Sequence, residues 1–244
     1  MRNRGEQLLP EGRAHLSPDS LALLAVAVID FRRGSGSWLS DAGITASGTS
    51  IPPPREPPDD PESSRLHGLV DLAKAGDADA FGYLYDHYCP TVYRFVYYRV
   101  SGSRSLAEDL TSETFFRALR SLSTYRWQGK DFGAWLITIA RNLVTDHFKS
   151  SRTRLEAPSE DLTAHAGVTD GPEDEVISGL TKEVLIKALG NLAAEQQECL
   201  VLRFLNGYSI AETAAALGRS EGAVKQLQLR AIRNLSKLLP GGLR

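Results

Sequence analysis

Lys225, Gln226, Arg230, Arg233 and Lys237 recur at three-to-five-residue spacing near the carboxy terminus, with Glu221 the one acid among them. At helical pitch such residues gather on one side. Ammonium and guanidinium groups meet phosphates, an amide can read a base edge, and a helix of this width fits a major groove. That chemistry is duplex binding rather than bond making. The five histidines, His15, His67, His87, His147 and His165, are scattered. No nucleophile–base motif, metal-ligand spacing or phosphate-cradling glycine loop accompanies them. Asp86-His87 and Asp146-His147 are sequence neighbours, but adjacent helical residues point in different directions. Cys89 and Cys199 stand far apart and suggest neither a metal site nor a disulfide framework. No cofactor and no enzymatic activity are expected.

The basic row must be held by something, and the stretch from Ser209 to Leu239 supplies it. It reads as a helix over Ile210–Leu217, a stop at Gly218 where the chain needs positive φ, and a second helix capped by Ser220. Ala214, Gly218, Val224 and Leu227 have helix-turn-helix spacing: the small residues permit a close crossing, and the apolar pair holds the second helix. A helical hairpin with a merely solvated basic face would share the apolar spacing, but turn and charge together favour DNA.

Net charge over the 244 residues is −2, which by itself argues against a nucleic-acid partner. The distribution reverses that. Residues 66–155 carry 12 Lys/Arg against 9 Asp/Glu, and residues 176–244 carry 9 against 5. Between them, 156–175 holds 7 acids and no Lys or Arg. The acidity is segregated, leaving two mildly basic blocks. The apolar run Leu21–Phe31 is too short to span a bilayer and makes a poor signal peptide. A soluble cytoplasmic protein with no membrane span is expected.

In chain order, residues 1–65 read as a disordered extension with the character of a pro-segment. Gly34–Pro61 is rich in Gly, Ser and Pro and cannot bury enough surface to offset ordering entropy. Helices begin near Leu66. Ala80–Val100 is dense in aromatics, with Pro90 expected to break or kink it. Ala107, Leu110, Phe115, Ala118, Leu119 and Leu122 form an apolar stripe that predicts a helix over Ser105–Leu122, leaving Glu108, Asp109 and Glu113 outward. A polar turn, Ser123–Asp131, carries Tyr125, Arg126 and Trp127. The next helix, Phe132–Lys149, turns Trp135, Leu136, Ile139, Leu143 and Val144 inward and carries Arg141 and Asn142. Rings can stack unpaired bases while basic groups track phosphates. After an acidic linker over 155–175, stripes at Val176–Leu189 and Glu195–Leu205 feed the helix-turn-helix. The fold class is all-α: one helical domain over 66–154 and another over 176–240.

Four stretches in order, AFGYLYDHY at 80–88, AEDLTSETFFRA at 107–118, FGAWLITIARN at 132–142 and LVLRFLNGYSIAETAAALGRSEGAVKQLQLRA at 200–231, resemble the bacterial RNA polymerase sigma factors of the extracytoplasmic-function (ECF) class. The resemblance spans roughly Leu69–Arg154 and Pro172–Leu239. It implies sigma region 2 followed by region 4, with core RNA polymerase and promoter DNA as partners and an anti-sigma factor as a further partner common in the family. It places Asp109, Leu110, Glu113 and Phe115 against the polymerase core. Asn142, with Tyr125 and Trp127 offering stacking faces, would meet the melted −10 element. Gly222, Lys225, Gln226, Leu229 and Arg230 would face the −35 duplex. Ser112 stands where the family has a Gln, and Ala193 where it has a Pro. The alternative is a stand-alone helix-turn-helix regulator, which leaves Ala107–Ala118 without a purpose.

Overall fold

Asp77 accepts a hydrogen bond from the Ala80 N–H at 3.0 Å and so opens the helix on which the amino-terminal unit is built. The computed structural model describes residues 61–126, 131–156 and 176–239. The Leu21–Phe31 run, Trp127 and most of the acidic linker lie outside these residues. In chain order the helices are α1 (Pro61–Lys74), α2 (Ala78–Arg99), α3 (Arg104–Ser121), α4 (Phe132–Glu156), α5 (Val176–Gly190), α6 (Ala194–Leu200), α7 (Ile210–Leu217) and α8 (Glu221–Leu238). A short 3₁₀ turn, Leu122–Thr124, follows α3, and a wide π turn, Val201–Leu205, continues α6. No strand occurs among the described residues.

Helix α4 runs on to Glu156, seven residues past its expected end at Lys149, and two further elements differ from expectation. Helix α1 starts at Pro61, five positions before Leu66, because proline is well placed in a first turn, where its missing N–H costs nothing. Helix α2 runs through Pro90 as one element of 22 residues. Pro90 is exposed, while Leu84, Tyr88, Val92, Phe95 and Val96 on the inner side are buried. Burial at about 1.5–3 kcal/mol per large apolar side chain outweighs the roughly 3 kcal/mol of an interior proline.

Helices α1 to α4 pack around Leu84, Phe95, Tyr98, Leu136 and Ile137. In the carboxy-terminal unit, Leu189, Leu200, Leu202, Leu205 and Ile232 play the same part. The helix-turn-helix matches the expected boundaries, because strong local signals fix its ends. Ser209 and Glu212 form a reciprocal capping box, with Glu212 N–H on Ser209 Oγ at 3.1 Å and Ser209 N–H on Glu212 Oε2 at 2.6 Å. Gly218 adopts φ 63°, and Arg219 N–H reaches back to the Ala214 carbonyl at 2.9 Å, closing the helix in a Schellman turn. Ser220 Oγ then accepts from Ala223 N–H at 3.3 Å and starts α8.

The two units are packed together, which the sequence did not lead us to expect. Arg94 Nη1 donates to the Leu205 carbonyl at 2.9 Å, and Asn206 Nδ2 to the Thr91 carbonyl at 3.0 Å. Gln197 Nε2 donates to the Tyr98 carbonyl at 2.7 Å. Glu198, 2% exposed, lies between Arg99 and Arg141 of the first unit.

Candidate nucleic-acid interface

Helix α8 is strongly amphipathic. Val224, Gln228, Ala231, Ile232 and Leu235 are buried, whereas Gly222, Gln226, Arg230, Arg233 and Lys237 are exposed and Lys225 is half-buried. No carboxylate among the described residues pairs with Arg230, Arg233 or Lys237. Leu229 is half-buried against the core and so contributes shape more than reach. A Cβ built on Gly222 would meet no atom within 4 Å. Nothing in the chain's own packing therefore requires glycine there, and the bare backbone faces open space. Behind α8, Arg203 Nε donates to the buried Gln228 Oε1 at 3.1 Å and ties α8 to the π turn.

A second constellation surrounds the loop before α4. Asp131 Oδ2 accepts from Gly133 N–H at 2.8 Å, and Asp131 Oδ1 accepts from Tyr88 Oη at 3.0 Å. Tyr125 packs on Phe132 at 5.3 Å and on Trp135 at 4.9 Å, and Lys74 Nζ donates to its carbonyl at 3.0 Å. Tyr125 is 8% exposed, and burial together with the Asp131 carboxylate pushes its phenol up to about 12. It is a strut of the loop rather than an open stacking platform. Burial likewise raises the Tyr88 phenol, with Asp131 beside it as the next cause. Asn142 is exposed and shares a face of α4 with Ile139 and Trp135, three and seven positions before it.

The third constellation is the outer face of α3. Asp109 is exposed, and Glu113 makes an ion pair with Arg117 at 2.7 Å. Phe115 turns inward, 4% exposed and edge-on to Tyr85 at 4.7 Å, and Leu110 packs partly against the core. Leu119, expected inside, is 51% exposed, and Phe116 is 54% exposed. Sequence reasoning passed over Phe116 and placed Leu119 on the wrong side of the helix. They lie seven and ten positions after Asp109, so strict helical bookkeeping of the Phe115-Phe116 doublet carried the signal. Arg120 rests over the Phe116 ring at 5.7 Å. Among the described residues no group of three His, Cys, Asp or Glu side chains could hold a metal.

These three surfaces fall on stretches that match known families. Residues 84–154 match sigma-70 region 2, and residues 188–237 match sigma-70 region 4. Over 186 residues the chain is 56% identical to the ECF RNA polymerase sigma factor BldN of Streptomyces coelicolor, covering 76% of this chain and 70% of that one. The chain belongs to the ECF sigma factors. Among solved structures, this sigma factor is similar to one chain of the RsbN–BldN complex, with 50% identity, 70% of this chain and 99% of that one covered, and a TM-score of 0.31. It is also similar to the sigma factor RpoE in complex with the anti-sigma factor NepR from Bartonella quintana. There the identity is 26%, the coverage 65% and 95%, and the TM-score 0.50. In these terms Asn142 and the α3 face lie in region 2, and α8 in region 4. Among the described residues no helix is long and apolar enough to cross a membrane.

Proposed function

We propose that this sigma factor binds core RNA polymerase in the cytoplasm and directs it to promoters by reading two DNA elements in different states. The observation that carries this is the exposed cationic row of α8, set on a tightly capped helix-turn-helix beside a glycine with open space in front of it. Arg230, Arg233 and Lys237 meet phosphates or base edges of the −35 duplex, and Gly222 lets the DNA backbone approach the start of α8. Asn142 offers both a donor and an acceptor to an unpaired base of the −10 strand. Tyr88, Asp131 and Gly133, joined by hydrogen bonds, fix the start of α4 on the same unit.

Core polymerase docks on the outer face of α3. Asp109 and Glu113 complement a basic surface, while Phe116 and Leu119 supply apolar anchors of the kind that dominate interface energies. Phe115 and Leu110 act from behind by fixing this face. Because the whole function is binding and positioning, no catalytic group is required. An anti-sigma factor is a further partner, a reading supported by the similarity to RpoE in its complex with NepR. Pull-down of core polymerase by the full chain, followed by run-off transcription on a candidate promoter, tests the proposal. A chain that binds promoter DNA yet retains no core would favour a stand-alone regulator, and one that retains core but gives no promoter-dependent transcript would overturn the promoter reading.

A further inference from the structure

Five side chains of α8 are fully buried, and four of them, Val224, Ala231, Ile232 and Leu235, are apolar. The fifth is Gln228. Leu227, which the sequence spacing assigns to the holding face, is only half-buried, and Leu238 is 45% exposed. At about 100° per residue, Val224, Leu227, Ala231, Leu235 and Leu238 make a second stripe, wholly apolar, centred roughly 45° round the helix from the buried one. A roll onto that stripe would bury two more leucines and carry Gln228 toward water. Apolar pattern alone therefore favours a different phase of α8 from the one observed.

The observed phase is held by polar groups. Gln228 Oε1 accepts from Arg203 Nε at 3.1 Å, and Arg203 Nη1 also donates to the Tyr208 carbonyl. Arg203 sits in the middle of the π turn, which closes with the Asn206 N–H on the Val201 carbonyl at 2.9 Å. Turns of this kind recur at functional sites. One guanidinium thus meets both the chain entering α7 and the centre of α8. The arrangement is costly: Gln228 Nε2 and Thr213 Oγ1 of α7 are buried with no hydrogen-bond partner among the described residues, and burial lowers the Arg203 guanidinium. A leucine at position 228 would remove the cost of the amide, so stability does not account for the glutamine. Buried polar pairs in an otherwise apolar seam are best attested as devices that fix register.

The phase of α8 decides what the helix presents. Gly222, Gln226 and Arg230 lie four apart in one exposed row, with the half-buried Lys225 to one side. Side-chain tips stand about 5–6 Å from a helix axis, so a 45° roll moves them by roughly 4 Å. That exceeds the roughly 3.4 Å between successive base pairs, enough to carry an amide or guanidinium past the base edge it meets.

We propose that Arg203 and Gln228 are positioning residues that set the rotational phase of α8, and so decide which of its side chains reach base edges of the −35 duplex. The inference rests on the −35 reading proposed above, but half of its test is made without DNA. In full-length chains carrying Cys89→Ser, which leaves the fully buried Cys199, a reporter thiol is placed by Leu229→Cys or by Gln226→Cys and its alkylation rate is measured. Arg203→Met strands Gln228, and the roll that returns Gln228 to water also turns position 229 outward. The reporter at 229 should then react about tenfold faster than with Arg203 in place, while the one at 226 keeps its rate. Adding Gln228→Leu to Arg203→Met should restore the original pattern. The Tyr208 bond is lost in both chains, so the difference between them belongs to Gln228.

The other half of the test uses holoenzyme. Promoters that the wild-type holoenzyme recovers from a randomised duplex pool are compared, in run-off transcription, with copies scrambled over the −35 element. Arg203→Met should lower the preference for the recovered element about tenfold, and the double variant should recover it. Circular dichroism verifies folding. If Arg203→Met unfolds, Arg203→Lys carries the test, because a single ammonium lacks the fork that serves Tyr208 and Gln228 together. A folded Arg203 variant with the wild-type alkylation pattern, or a double variant that alkylates like the single one, overturns the assignment. A shifted pattern with an unchanged −35 preference leaves the positioning role standing and removes α8 as the reader of that element.

Discussion

Two adjacent phenylalanines on α3 should respond to alanine in opposite ways. Phe115 is 4% exposed and packs edge-on to Tyr85 at 4.7 Å with an interplanar angle of 62°. Its removal leaves a cavity between α2 and α3, which typically costs about 3–5 kcal/mol for Phe→Ala. Against a whole-domain stability of roughly 5–15 kcal/mol, that is a large fraction. Phe116 is 54% exposed, and its contact with Arg120 at 5.7 Å is worth about 0.5–1 kcal/mol at a surface. Phe116→Ala should therefore shift stability by no more than about 1 kcal/mol. Its effect belongs to binding: as an aromatic anchor it should cost about 2 kcal/mol or more, roughly 30-fold in affinity for core polymerase. Urea denaturation gives the stabilities, and competition with a labelled sigma factor for core gives the affinities. If Phe116→Ala competes as well as wild type, the outer face of α3 is not the docking surface. If Phe115→Ala keeps its midpoint, the packing described for α3 is wrong.

Asn142→Ala should reduce promoter melting more than initial promoter binding, since its amide meets an unpaired base; permanganate footprints that match wild type would refute the role. Gly222→Val, filling space that no protein atom occupies, should leave the melting temperature within a degree or two yet weaken −35 duplex binding at least tenfold, as read by titration of matched and scrambled duplexes. Cys199 is fully buried, and burial pushes its thiol up to about 12, so almost no thiolate forms below pH 10. An alkylating reagent at pH 8 should label the half-buried Cys89 slowly and Cys199 only in denaturant; rapid double labelling of the native chain would contradict the packing. Finally, a chain starting at Pro61 should bind core as the full chain does, whereas one starting at Leu66 loses the first turn of α1 and should melt earlier, which differential scanning fluorimetry would register.

The helix-turn-helix was legible because its determinants are local. Ser209 with Glu212, Gly218 and Ser220 each act within a few residues, so sequence spacing and structure carry the same information. The interior of region 2 was legible through periodicity, but only at the level of a helical face. The stripe assigned to α3 placed Leu119 inside, and one step of phase separates it from the buried Ala118. Tyr125 reads in isolation as a loop aromatic free to stack. Its burial depends on Phe132, Trp135 and Lys74, which two different helices, α1 and α4, bring to it. Least legible was the seam. Its partners, Arg99 with Gln197 and Arg141 with Glu198, are separated by 98 and 57 positions, and charged residues carry no apolar period to announce burial.

The placement of Glu198 has a consequence for building hybrids. A chimera that joined this region 2 to a region 4 from another parent would assume that each brings its own complete surface. Here α6 supplies a carboxylate that two arginines from the other half require, and neither half is neutral toward a foreign mate. A graft that keeps residues 61–156 and imports a region 4 with an apolar residue in place of Glu198 would strand the buried Arg99 guanidinium and leave the partly exposed Arg141 without its carboxylate. Such a hybrid would hold its halves apart before meeting any polymerase. Hybrid design for this chain therefore has four positions to transplant together: 99, 141, 197 and 198.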